Sequence, residues 1–281
     1  MRVIRADVMG MCFGVRDALK IIESIGEPGD VTIHGELVHN EAVLTGLRER
    51  GFAMVGESER RSLPETSTVL ITAHGVSDRE RARLSNGGKR LVDTTCPLVT
   101  RAHQAAITLQ TEGFHVLVIG RRGHVEVQGI VEDLEHFEIL ESEDDVRTYA
   151  SSRLGVVCQT TTAERHVEAL RVAIAAHNPD AEIRFIDTVC LPTKEHHRSL
   201  GRLLAEVDAM VVVGGRNSNN TRALVALCRE RGVRCVHARE ASDLDPAWFE
   251  GIEVVGLTAG TSTLDATIEE VHRAIEGFST A

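Results

Sequence analysis

Apolar and polar positions along the chain keep changing their period. Six β-branched runs each end in a polar or glycine-bearing loop: VTIHGELVHN, TVLITAHGVS, HVLVIGRRGHVE, LGVVCQTTT, AMVVVGGRNSNN and EVVGLTAGTST. Each leads into a stretch where apolar residues recur at three or four, as Leu170 and Ile174 do in AERHVEALRVAIAAHNP. The other helical stretches predicted this way are RDALKIIESIG, EAVLTGLRERG, DRERARLSNG, Val127 to Leu134, TRALVALCRERG and LDATIEEVHRAIEG. Gly51, Gly113, Gly232 and Gly277 stand where a helix takes its left-handed cap. Strand and helix alternating at this spacing predict a parallel α/β architecture.

The rhythm carries a longer repeat. RLVDTTCPLVT and RFIDTVCLPTK each place Asp-Thr, one spacer and a cysteine after a short apolar run, with Cys96 and Cys190 94 residues apart. A diverged copy, VIRADVMGMCFGV, holds Cys12. Counting from each cysteine, polar loops follow at His39, His124 and Ser218, which are 27, 28 and 28 residues on. Second loops follow at His74, Thr160 and Ser262, at 62, 64 and 72 residues. The chain therefore reads as three α/β repeats, 1–89, 90–183 and 184–281, each with one strand-end cysteine and two strand-end polar loops. In open parallel sheets the ligand lies beyond the carboxyl ends of the strands. Three such units about a shared axis would aim nine loops at one centre. The plainer reading is three unrelated units with buried cysteines, a common place for a thiol; three cysteines and six loops in register argue against it.

Composition narrows the class. The chain has 281 residues, 42% hydrophobic but only 3% aromatic, so its core must be built from Val, Leu, Ile and Ala. No apolar run approaches a membrane span and the N-terminus shows no signal-peptide pattern, so a soluble cytoplasmic protein is expected. A net charge of −11 argues against a nonspecific nucleic-acid binder but leaves room for a local anion pocket. The six cysteines include no CxxC pair and read as thiols.

Three converging thiolates suit two kinds of site. Zinc usually takes a fourth protein ligand or a water. An iron–sulfur cluster accepts thiolates from distant parts of a chain, and a three-cysteine cubane leaves one iron for substrate. The loops HGELVHN, AHGVS, RNSNNT and TAGTST offer imidazole, hydroxyl, amide and backbone N–H groups at helix starts, which suits an anion such as a diphosphate. There is no GxxxxGK[ST], and the nearby cations Arg121, Arg122 and Arg216 are few, so neutral donors and protonated histidine are expected to bind it. Glu126 in GHVEVQG reads as a proton relay or, more plainly, as the first-turn acid of a helix.

Together these residues resemble the LytB/IspH family of 4-hydroxy-3-methylbut-2-enyl diphosphate reductases. The likeness is carried in order by MCFGV with Cys12, VHN with His39, AHGVS with His74, DTTCPLVT with Cys96, GHVEVQG with His124 and Glu126, QTT with Thr160, DTVC with Cys190, RNSNNT with Ser218 and Asn220, and TAGTS with Ser262. It spans nearly the whole chain, and AHGVS with TCPLVT is its most specific part. The resemblance implies three similar small parallel α/β domains in a pseudo-threefold trefoil around a [4Fe–4S] cluster held by Cys12, Cys96 and Cys190, which oxidative loss of the unligated iron converts to [3Fe–4S]. It implies a diphosphate site of His39, His74, His124, Ser218, Asn219, Asn220 and Ser262, with Thr160 near the substrate hydroxyl and Glu126, beside His124, supplying protons. The implied reaction is a reductive dehydration to isopentenyl and dimethylallyl diphosphates in the non-mevalonate isoprenoid pathway. A ferredoxin or flavodoxin type of protein would supply electrons, with no nucleic-acid or membrane partner.

The match departs from the family pattern in places. LPTKEHHRSL follows Cys190, Val125 replaces a proline, Asn219 replaces a serine, the last loop lacks a proline after its serine, and Met11 and Phe13 flank Cys12. These changes spare the cysteines and leave two other readings open: a paralogue acting on another hydroxylated diphosphate or related anion, and an iron–sulfur sensor or carrier without turnover. A zinc hydrolase ranks below both. His196 and His197 read as a solvent-facing helix start, or as added substrate ligands. Cys158, Cys228 and Cys235 read as core, and His103, His115, His136 and His166 as surface or helix residues.

Overall fold

The computed structural model describes residues 1–278. Twelve strands and nine α-helices alternate along them: β1 (Arg2–Arg5), α1 (Phe13–Glu23), β2 (Val31–His34), α2 (Glu41–Glu49), β3 (Ala53–Val55), β4 (Thr68–Ile71), α3 (Asp78–Asn86), β5 (Arg90–Asp93), α4 (Pro97–Thr111), β6 (His115–Ile119), α5 (Val125–Val131), β7 (Phe137–Leu140), β8 (Arg153–Cys158), α6 (Glu164–His177), β9 (Glu182–Phe185), α7 (Leu191–Leu203), β10 (Ala209–Val213), α8 (Asn219–Glu230), β11 (Arg234–Ala238), β12 (Val254–Ala259) and α9 (Asp265–Phe278). No helix among the described residues is long and apolar enough to cross a membrane.

The strands form three parallel four-stranded sheets, ordered β3-β2-β4-β5, β7-β6-β8-β9 and β11-β10-β12-β1. Each sheet has the same plan. Its first and third strands in chain order lie at the centre, the second is one edge, and the strand that leads to Cys96, Cys190 or Cys12 is the other. The last sheet takes that fourth strand from the N-terminus, with Val3 opposite Val255 and Ile4 opposite Gly256. The strands before Cys96 and Cys190 thus close the sheets of the strands that precede them; the boundary read from sequence at 90 falls at the start of β5 and that at 184 within β9. A half-buried edge strand does not itself encode which neighbour it joins; burial of the shared face decides.

Two compact units hold these sheets. One comprises residues 1–15, 39–41 and 191 onward and contains β11-β10-β12-β1; the other comprises 16–38 and 42–190 and contains the other two. The central strands are apolar on both faces because helices cover both. In β6, Val116 and Val118 pack with α4 and α5, while Leu117 and Ile119 face Leu170 and Ile174 of α6. In β10, Val211 and Val213 meet Ile268, Val271 and Ile275 of α9, while Met210 and Val212 meet Leu200 of α7 and Leu224 of α8.

The helical pattern places most elements correctly. The helix expected from Val127 starts earlier, at Val125, because His124 caps it. Gly51, Gly113 and Gly232 take positive φ past their helices, but Gly277 lies inside α9. The edge strands β3, β7 and β11 carry no alternating signal in the sequence, being short or only partly buried.

Candidate functional site

The Asp-Thr-x-Cys stretch is a built turn. At the end of β5, Asp93 Oδ1 accepts from the Thr95 amide at 2.9 Å, and the Thr94 hydroxyl donates to the Ile71 carbonyl at the end of β4 at 2.6 Å. After β9, Asp187 Oδ1 accepts from the Val189 amide at 3.1 Å, and the Thr188 hydroxyl donates to the Cys158 carbonyl at the end of β8 at 2.5 Å. The aspartate closes the turn and the threonine ties it to the neighbouring strand. Each cysteine amide then donates one step further on: Cys96 to the Ala73 carbonyl (3.0 Å), Cys190 to that of Thr160 (2.9 Å) and Cys12 to that of Thr261 (3.0 Å). The N-terminal copy lacks the Asp-Thr pair; the Gly10 amide donates to the Ala259 carbonyl instead. All three cysteines are partly exposed thiols that immediately precede α1, α4 and α7. A helix start favours an anionic sulfur, the form a metal ligand requires.

The six polar loops follow the two central strands of each sheet, the crevice where a parallel sheet receives its ligand. In the larger unit they form one line of contacts between two cysteines. His74 follows Ala73, the anchor of Cys96. Gly75 behind it has φ +72, and a Cβ there would stand 2.9 Å from Thr95 Cγ2, so only glycine fits the turn. The His74 ring meets His124 edge to face at 5.7 Å. His124 caps α5, its Nδ1 accepting from the Glu126 amide at 3.2 Å, which places a ring proton on Nε2 in the neutral form. Glu126 then accepts twice from Thr160, from the amide at 2.6 Å and the hydroxyl at 3.0 Å. Thr160 in turn anchors Cys190 through its carbonyl. Glu126 is 2% exposed, and burial pushes its carboxyl up to about 7 against the opposing pull of the two Thr160 hydrogen bonds.

The smaller unit assembles the other residues at the carboxyl end of its sheet. Ser218 caps α8, accepting from the Thr221 amide. Asn219 begins that helix, and Asn220 Oδ1 accepts from the Thr261 amide at 3.1 Å, beside the anchor of Cys12. Asn220 Nδ2 and the Thr221 hydroxyl are buried and have no hydrogen-bond partner among the described residues. The His39–Asn40 segment seats here: Asn40 Nδ2 donates to the Ser262 carbonyl at 2.7 Å, and the Ser262 hydroxyl reaches the His39 carbonyl at 3.5 Å. A Cβ on Gly215 would stand 2.3 Å from that same carbonyl, so this approach demands glycine. Asn40 is the positioning residue that the sequence reading passed over, its only signal being its place beside His39.

One further histidine differs from expectation. His196 does not face solvent: it is buried in α7, its ring N–H donates to the Ala259 carbonyl, and its Nδ1 has no partner among the described residues. Burial pushes its ring down to about 4, so it is neutral at physiological pH. The helical pattern of LPTKEHHRSL puts 196 on the face of Thr193, Ser199 and Leu200, which is the buried one. His103, read as a surface or helix residue, lies in α4 and is partly buried, with Nε2 2.8 Å from Asp133 Oδ2. Asp78, His103 and Asp133 bring ligand-type atoms within 4.8 Å of one another. Both Asp133 oxygens, however, already accept amides at the start of α3, from Asp78 at 2.6 Å and Arg79 at 3.1 Å. Cys158 and Cys228 are buried as expected, whereas Cys235 is only partly so.

Comparison with known proteins gives one consistent answer. The family model described as LytB protein matches residues 3–276. A Wolinella succinogenes protein named 4-hydroxy-3-methylbut-2-enyl diphosphate reductase is 33% identical, with 99% of each chain covered. The solved structure of (E)-4-hydroxy-3-methyl-but-2-enyl diphosphate reductase, the terminal enzyme of the non-mevalonate pathway, is 33% identical with a TM-score of 0.68, covering 99% of this chain and all of that one. The Plasmodium falciparum E-1-hydroxy-2-methyl-but-2-enyl-4-diphosphate reductase shares the fold, with a TM-score of 0.89 at 24% identity over 97% of this chain and 87% of its own. With the matched cysteine turns and polar loops, these findings show that the chain belongs to the LytB family.

Proposed function

We propose that this chain carries out the reductive dehydration of 4-hydroxy-3-methylbut-2-enyl diphosphate to isopentenyl and dimethylallyl diphosphates; its relatives are named as reductases of that diphosphate. The observation that carries the reading is the Glu126–Thr160 pair. It is a buried carboxyl held near neutrality, bonded to a residue whose carbonyl anchors a cysteine. A carboxyl that keeps its proton near pH 7 can release one to a departing hydroxyl or to carbon.

Cys12, Cys96 and Cys190 are the proposed ligands of a [4Fe–4S] cluster. Three thiols on one repeated backbone anchor, each before a helix, suit an all-sulfur cluster set, whereas zinc usually takes a fourth protein ligand or a water. When bound, the cluster supplies the electrons and a Lewis-acidic iron for the substrate's hydroxyl.

The diphosphate falls to His39, His74, His124, Ser218, Asn219, Asn220 and Ser262. The unpartnered Asn220 Nδ2 at the start of α8 supports this, since a buried donor without a partner costs free energy until an acceptor arrives. His124 donates from Nε2, because its Nδ1 is committed to the Glu126 amide. Thr160 orients Glu126 and stands near the hydroxyl that leaves. A ferredoxin or flavodoxin type of protein is the proposed electron donor. The three repeats and a cytoplasmic location belong to the same reading.

Anaerobic reconstitution, Mössbauer spectroscopy and assay with the diphosphate test it. A four-iron cluster, turnover with dithionite-driven reduction, loss of the cluster in Cys190→Ser and loss of turnover in Glu126→Gln are expected. A four-iron cluster with no turnover would reject this substrate and favour a paralogue altered at Val125, Asn219 and the segment after Cys190.

A further inference from the structure

The Glu126 carboxyl has Thr160 as its sole hydrogen-bond partner among the described residues. Neither the threonine hydroxyl nor its amide can replace a spent proton. Reductive dehydration consumes two protons per turnover, one leaving in water and one bonded to carbon. Glu126 therefore needs a path by which solvent protons reach it.

A cavity of about 180 Å³ in the same unit has Glu126 and His74 on its wall, with Thr95, Thr100, His103 and Gln104. At its outer end stand Asp78, Arg81 and Asp93, with side chains 70%, 27% and 44% exposed, so that end meets solvent. The space has room for several waters, and its polar groups, set among Val76, Val99, Ile107 and Ile130, would give them partners. We propose that this cavity is the water-filled route by which solvent protons reach Glu126, with His103 the side chain that takes them in. The inference rests on Glu126 being the proton source of the proposed reaction.

Asp133 orients the ring of His103 from 2.8 Å and is itself fixed by two backbone amides. Nδ1 is left for a water, and a proton taken from solvent there gives the imidazolium transiently. In the step, the N–H bond of the imidazolium breaks, O–H bonds of the waters break and re-form, and a new O–H forms on the Glu126 carboxylate. The imidazole regains its proton from bulk hydronium, so no other reactant is needed. The charged and titratable groups facing the route are His74 and Glu126 within, Asp78, Arg81 and Asp93 outside, and Asp133 behind His103. Arg81 is paired with Asp93 and donates to Thr95 Oγ1 at 3.0 Å, which fixes the mouth.

The test is a single turnover of reconstituted, pre-reduced holoenzyme with the diphosphate substrate, in H2O and D2O. His103→Ala removes the relay, while Thr100→Val with Gln104→Leu dries the wall and leaves His103 in place. Both should slow turnover about tenfold and enlarge the solvent isotope effect, with substrate affinity and four-iron spectrum unchanged. Added imidazole should restore part of the His103→Ala rate. Wild-type rates and isotope effects in both would overturn the route, as would a slower rate with an unchanged isotope effect and no imidazole rescue. If His103→Ala loses iron, the Thr100/Gln104 variant decides alone. Normal turnover of Glu126→Gln would instead sink the reading of Glu126 itself, and a slow Glu126→Gln beside normal cavity variants would sink the route alone.

Discussion

At position 126, burial and hydrogen bonding pull a carboxyl in opposite directions, and burial wins. The sign has two consequences. In the proposed reaction protonated Glu126 is the competent donor, so turnover should fall as pH rises through about 7, and Glu126→Gln should abolish that limb along with at least a hundredfold of the rate. Stability follows the same titration. A carboxyl raised in the fold contributes fully below its unfolded value near 4.5, and that contribution is lost as pH rises through about 7. Glu126→Gln should therefore gain melting temperature relative to the parent at pH 8 but not at pH 4. Asn220 is the second residue to examine. Removing its unpartnered Nδ2 with Asn220→Ala should raise KM for the diphosphate about tenfold or more while kcat moves less, because a donor to a charged oxygen is lost.

Among the elements, the two Asp-Thr-x-Cys turns do the same work at different places. Thr188→Val would leave the Cys158 amide and carbonyl without the hydroxyl that serves both, at 2.7 and 2.5 Å. The expected loss is about 1–3 kcal/mol, with faster iron loss from the holoenzyme, readable by thermal melts and by cluster absorbance under chelator. Helix α7 makes a prediction of opposite pH sense. Its buried His196 is depressed to about 4, so its contribution is full above the unfolded imidazole value near 6.5 and is lost as pH falls through about 4. His196→Leu should accordingly flatten the acid limb of stability measured by fluorescence or circular dichroism. A helix start at His196 and His197 was legible in the sequence; that the helix begins at Leu191 and that His196 points inward were not. A charged or polar residue is read as exposed until a neighbour such as the Ala259 carbonyl is known.

For the whole molecule, the notable feature is that the third sheet borrows β1 from the other end of the chain. Deleting residues 1–5 should uncover the β12 edge, lower the melting temperature and speed hydrogen exchange at Val254–Ala259, without touching β2, β4, β6 or β8. Retained protection of β12 in such a truncation would show that the borrowed strand is dispensable.

Local chemistry in the sequence by itself determined the alternation of strand and helix, the six strand-end polar loops and the three cysteines in register. Period, β-branching, caps and turn residues act over a few neighbours and so leave a local trace. Only the tertiary structure decided what lies far apart in the chain. It paired β1 with β12 across some 250 positions, assigned the strands before Cys96 and Cys190 to the preceding sheets, and supplied the short edge strands β3, β7 and β11. It also joined Glu126 to Thr160 across 34 residues and buried His196. Those choices follow from shared burial and from pairing of buried polar groups, which depend on what the folded chain places alongside and not on the residue's own type.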